Sequence, residues 1–214
     1  ESTPGSFISG DVWSVVWRLY FHQLQRKAVR DIQPKWGWIL EGAYRHTPFG
    51  DNNMGSMRSA QAGIYLPGFT KTHGTYTYLA FQDRTPGDYS YSDAVTIPRG
   101  WHSFRSTRLV SASVRYVFPL LYPDLNLGKF IYFRRIKAAL FYDAARMEDD
   151  SDTSGKGKGL VFRKSLQSLG ADLTADSNFL RFYAPVDMGI RAVYLPEGKR
   201  MAYEFLLSVD FNSF

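Results

Sequence analysis

The chain has 214 residues, 44% hydrophobic and 21% charged, with 14 Tyr, 16 Phe and 5 Trp; this excludes a disordered polymer and fits one domain, two at most. It has no cysteine, which excludes a disulfide framework, a thiol nucleophile and any Cys-ligated metal. The net charge is +6, but the basic residues are spread along the chain. Even the densest group, Lys129–Lys137, alternates with apolar residues, so a solvated face is favoured over a nucleic-acid surface.

Glu1–Gly10 has neither the basic nor the apolar region of a secretion signal, so a signal has been removed or the sequence begins within a longer protein. No apolar run approaches the roughly 20 residues of a membrane-spanning helix. Strand-period alternation begins at about 12–24 and is followed by a possible helical turn at Lys27–Ile32. It resumes at 35–46, where Trp36, Trp38, Leu40 and Tyr44 alternate with Lys35, Glu41 and Arg45. Further strands are predicted at 59–68 and 74–84, then at 107–120, where Val110, Ala112, Val114, Tyr116, Phe118 and Leu120 share one parity. The pattern continues at 130–147, 163–175 and 179–195, the last carrying Leu180, Phe182, Met188, Ile190 and Tyr194 on one face. It ends at 201–213 with Tyr203, Phe205, Leu207, Val209 and Phe211. Successive strand side chains point to opposite faces, so each segment has one apolar and one polar side. The fold class is all-β, an antiparallel meander of about nine strands.

A soluble barrel or sandwich would turn the apolar side inward, whereas a transmembrane β-barrel would turn it to lipid around a polar lumen. Three features favour the membrane. Several strands run to about 12–17 residues, well beyond the usual five or six. Aromatics gather near strand ends, as interfacial girdles do. Connectors at 46–58, 85–106 and 148–162 are polar and mostly long, while those at 67–73, 121–129 and 176–178 are shorter. Bacterial single-chain barrels usually close with an even strand number. Nine strands therefore suggest the C-terminal part of a larger barrel, over residues 1–214, or a first strand wrongly placed.

Five segments occur in a telling order: Ile97-Pro98-Arg99-Gly100-Trp101, Ser113-Val114-Arg115-Tyr116-Val117-Phe118-Pro119, Ala139-Leu140-Phe141-Tyr142-Asp143-Ala144, Ser168-Leu169-Gly170-Ala171-Asp172 and Tyr183-Ala184-Pro185-Val186. Followed by an aromatic final strand, they resemble the C-terminal barrel half of the BamA/TamA family of outer-membrane protein assembly and translocation factors. The resemblance spans about 95–214; residues 11–94 fit by strand count only. It implies a location in the outer membrane of a diderm bacterium, a role in protein insertion or translocation, and contacts with outer-membrane lipid and with client proteins or accessory subunits. It also implies a loop folded into the lumen and held there by Arg99, Gly100 and Trp101, with Arg99 paired to Asp143 of the Phe141-x-Asp143 strand. Many family members carry a carboxylate where this chain has Arg115, which removes one partner for Arg99 and puts a basic residue nearby.

The terminal strand Tyr203, Phe205, Leu207, Val209 and Phe211 would be read by the assembly machinery, as the resemblance implies. Phe214 has the opposite parity, so either the last residues overhang or a bulge restores it to the lipid face. Arg26–Gly37 looks like a turn of barrel proteins in the same superfamily that carry other periplasmic domains. A passive channel, or an anchor for a periplasmic domain, shares the same barrel and stays open as an alternative, as does a soluble β-barrel binding a hydrophobic ligand.

Enzymatic motifs are wanting. His22, His46, His73 and His102 have no ligand spacing, the glycine-rich 155–159 lacks phosphate-loop spacing, and there is no G-x-S-x-G elbow. Glu148, Asp149, Asp150 and Asp152 read as an acidic loop tip. No cofactor, metal or catalytic residue is expected.

Overall fold

In a computed structural model the described residues are 10–26, 28, 31–50, 52, 54–85, 87, 91–102, 106–128, 130–151, 160–179 and 186–209. They form ten strands: β1 (Val12–Leu24), β2 (Gly37–Gly50), β3 (Ser56–Pro67), β4 (Gly74–Thr85), β5 (Arg108–Leu121), β6 (Leu125–Leu127), β7 (Ile131–Ser151), β8 (Leu160–Phe179), β9 (Val186–Leu195) and β10 (Arg200–Val209). The sheet is an antiparallel meander in the order β1-β2-β3-β4-β5-β7-β8-β9-β10, with β6 paired only to β7. It does not close: β1 and β10 are its two edges. The architecture is compatible with part of a β-barrel.

The two faces differ sharply in chemistry. Phe205, Leu207 and Ile190 are 72%, 64% and 60% exposed, whereas Asp143 and Asp172 are 3% and 2% exposed. Leu79 and Phe81 of β4, Val110 and Val114 of β5, Leu140 and Tyr142 of β7, and Leu169 and Leu173 of β8 join the exposed apolar face. Their opposite-parity neighbours Gln82, Arg84, Ser111, Arg135, Asp143, Ser168, Asp172 and Asp176 are buried. The β4–β5 connector covers part of that inner face, at Gln82, Arg84 and Asp143, and nearer the other rim Arg135 and Asp176 are buried in an ion pair. Val95 of the connector packs with Ala80, Leu109, Ala145, Met147 and Leu166, and Trp101 packs against Phe141, Val193 and Leu195. The small apolar core thus sits between wall and connector.

Several boundaries differ from the sequence reading. β7 and β8 are 21 and 20 residues long and run through much of the polar stretch read as loop, pairing out to Ser151 opposite Leu160. Backbone pairing needs no apolar face, and Arg108 and Arg163 neutralise Glu148 there. β2 likewise continues to Gly50. β6, just after Pro123 within the predicted connector, is three residues long and too short to show alternation. At the predicted helical turn, the Ala28 carbonyl accepts from the Asp31 N–H at 2.9 Å and the Asp31 carboxylate accepts from the Ala28 N–H at 3.1 Å. This is a local turn, and no α-helix occurs among the described residues. Lys27, Val29 and Arg30 lie outside the described residues, as do 152–159, 180–185, Phe211 and Phe214.

Candidate functional site: a loop bound to the inner wall

The connector's descent begins at Asp93. Its Oδ1 accepts from Gln82 Nε2 at 2.8 Å and from Arg84 Nη2 at 2.6 Å, both on the inner face of β4. The next peptide is fixed from both sides: the Ala94 N–H donates to Gln82 Oε1 at 2.7 Å, and the Ala94 carbonyl accepts from Gln61 Nε2 of β3 at 3.0 Å. Tyr78 joins this set, donating to Gln61 Oε1 at 2.7 Å and accepting the Thr96 N–H at 3.3 Å. Two long amides and a phenol thereby satisfy backbone groups that the sheet cannot pair.

Arg99 and Asp143 meet at the centre of the inner face. The Arg99 N–H donates to Asp143 Oδ2 at 3.1 Å and its Nη1 donates to Oδ1 at 3.3 Å. Ser113 Oγ of β5 donates to Oδ1 at 2.6 Å, and Ser168 Oγ of β8 donates to Oδ2 at 3.3 Å. Each carboxylate oxygen therefore has two donors, one from the connector and one from the wall. Burial lowers the Arg99 pKa, and the neighbouring Asp143 opposes this by favouring the guanidinium.

Phe141, two residues before Asp143 on the same face, completes the seat. The Arg99 guanidinium carbon lies 4.2 Å from its ring centroid, and that of Arg191 lies 5.5 Å away on β9. Across the ladder Phe141 opposes Gly170 of β8, and a Cβ there would come within 2.6 Å of its ring. Gly170 thus leaves the space that the ring occupies. Gly100 follows Arg99 with φ of 78°, a left-handed conformation that suits glycine. It lets Trp101 turn back, where its Nε1–H donates to the Gln167 carbonyl at 3.0 Å and Lys164 Nζ stands 5.0 Å from its ring centroid.

Arg115 shares the inner face but serves another carboxylate: its Nη2 lies 3.1 Å from Asp172 Oδ2. Arg191 also holds Asp172, with Nε to Oδ1 at 2.7 Å, and reaches Glu204 of β10 at 3.2 Å. Arg135 pairs with Asp176, and Lys137 bridges Asp176 and Asp187 at 2.6 and 2.5 Å. Pairs of opposite charge thus continue along the inner face from Asp143 to the far rim. They leave a cavity of about 600 Å³, lined by Gln33 of the β1–β2 connector, Arg115, Lys137, Arg191 and Ser208. The Asp93 anchor and the pairings within this ladder are not legible in the sequence. Their partners lie on different strands, so their register was needed to find them.

Of the terminal-strand residues, Tyr203, Phe205, Leu207 and Val209 all stand on the exposed face of β10, away from the Arg99–Asp143 contact. Glu148 and Asp149, read as loop, are in β7, and Asp149 Oδ1 accepts from Thr107 Oγ1 at 3.2 Å. No group of three or more His, Cys, Asp or Glu capable of holding a metal occurs among the described residues. Comparisons with protein-family models, curated proteins and solved structures gave no match.

Proposed function

We propose that the chain is part of an outer-membrane β-barrel, resembling the BamA/TamA superfamily, that assists insertion or translocation of other proteins in a diderm bacterium. The observation that carries the reading is the Asp143 carboxylate, bound at once by β5, β8 and the returning connector at Arg99. A connector tied to the wall in this way fixes the shape of the lumen. The exposed apolar face opposite supports lipid on the outside.

The work proposed is not bond chemistry. A strand edge with unpaired N–H and C=O groups templates an incoming strand by β-augmentation, and β10 is one edge of this sheet. Outer-membrane lipid surrounds the barrel, and clients or accessory subunits approach that edge. Asp143→Ala and Arg99→Ala in the full-length protein test the role. Client barrel assembly in cells is expected to fall severalfold while the variant itself stays membrane-integrated and heat-modifiable on gels. Full client assembly with a folded variant would favour the passive channel or anchor. A monomer soluble without detergent would end both membrane readings.

A further inference from the structure

On the exposed face, one row of directly opposed residues crosses five strands: Arg58 of β3, Asp83 of β4, Arg108 of β5, Glu148 of β7 and Arg163 of β8. Arg146 of β7 stands beside it, on the same face as Glu148. Contacts run along the row. Arg58 Nη2 lies 2.6 Å from Asp83, Arg108 lies 3.5 Å from Asp83 and 3.4 Å from Glu148, and Arg163 and Arg146 lie 3.0 and 3.8 Å from Glu148. Four arginines therefore share two carboxylates, and each arginine side chain remains more than half exposed. A guanidinium carries five N–H donors, so the carboxylates leave donors and positive charge in excess.

The row's position gives the excess a meaning. Toward the other rim the same face turns apolar at once on three strands, through Ala60, Ala62 and Ile64 on β3, Leu79 and Phe81 on β4, and Val110, Ala112 and Val114 on β5; on β7 and β8 it does so only past Arg146 and past Ser165 and Gln167, at Tyr142 and Leu169. On β5 the step from Arg108 to Phe118 is ten residues, or about 33 Å along the strand, which at a barrel's usual tilt of about 40° rises about 25 Å, the height of its lipid-facing band. Arginines at the upper edge of such a band stand at headgroup depth, on the rim that bears the β4–β5 and β7–β8 connectors. The carboxylates hold the guanidiniums in place without cancelling them.

We propose that this row is a binding site for phosphorylated lipid headgroups of the leaflet at that rim, with the acyl chains lying on the apolar residues below. Planar guanidinium donors match phosphate oxygens. The inference rests on the reading of the exposed face as lipid-covered, but not on any role in protein assembly.

The test uses the full-length protein, purified in detergent and reconstituted in vesicles containing either a bisphosphorylated glycolipid or its dephosphorylated form. Retention of the phosphorylated lipid through purification, and a higher unfolding temperature in its presence, are expected. Arg146→Gln with Arg163→Gln is expected to weaken retention about fivefold per arginine removed. The Arg→Lys pair keeps the charge but loses the planar donors, and its retention is expected to fall between that of the unaltered protein and the glutamine pair. Inorganic phosphate at matched concentration is expected to give no shift, because the acyl contacts are missing. Equal retention of both glycolipids, a shift with inorganic phosphate alone, or unchanged retention by the folded glutamine variant would each overturn the site. In all three cases a heat-modifiable barrel would leave the membrane reading intact; a chain that never enters vesicles would overturn both.

Discussion

Asp143 gathers the connector and two strands onto one carboxylate, so its loss leaves more than a missing bond. In Asp143→Ala the Arg99 guanidinium, the Arg99 N–H and two serine hydroxyls lose their acceptor together. Breaking a buried pair from one side costs about 3 kcal/mol or more. The loss falls on docking of the connector, so limited proteolysis between 86 and 107 is expected to accelerate while global unfolding in denaturant moves less. Gly170 gives a second check. Gly170→Val would set its Cβ 2.6 Å from the Phe141 ring and closer still to the Ala192 carbonyl oxygen of β9, with an expected destabilisation at the upper end of about 1–3 kcal/mol in equilibrium unfolding and slower docking of Arg99 on that ring. Arg99, Phe141 and Asp143 stood out in sequence because two short segments occurred in a recognisable order. Ser113, Ser168 and Gly170 could not be assigned to Asp143 or to Phe141 in that way. A serine or glycine in a strand carries no sign of what lies opposite until the register is known.

The alternation of apolar and polar residues was enough to place nearly every long strand, because along the middle of each strand one face is mainly apolar and the other mainly polar. It failed where that contrast lapses. The outer halves of β7 and β8 are polar on both sides, and β6 has too few residues to alternate. The contrast between faces predicts asymmetric tolerance on β10. Phe205→Arg places a cation on the exposed apolar face, and about 2–4 kcal/mol of destabilisation is expected at mid-membrane depth. Ser208→Arg points into the charged cavity and is expected to change stability by less than about 1 kcal/mol. Urea titrations of both variants in lipid vesicles check the difference; equal losses would deny the two faces their distinct surroundings.

Taken whole, the molecule is a curtain of strands with one connector laid against its inner side. Val95 and Trp101 fill space in front of β4, β5, β7, β8 and β9, and the buried Tyr91 shares a 2.8 Å hydrogen bond with Thr47 of β2. In the barrel reading, replacing 91–102 by a short glycine-serine link widens the lumen, and a severalfold higher single-channel conductance in planar bilayers is the expected outcome. An unchanged conductance would mean that the connector does not obstruct the path of ions.

The length of the β7–β8 hairpin bears on the order of assembly. Its twenty opposed pairs close a gap of only eight residues, so little chain entropy is lost before pairing begins. The hairpin is therefore the natural nucleus, and its amides are expected to be the slowest to exchange with solvent. The seat for Arg99 needs β5, β7 and β8 already side by side, and Trp101 also needs β9. Docking of this connector can come only after its wall is built, and the time course of Trp101 fluorescence would then mark the completion of folding rather than its onset.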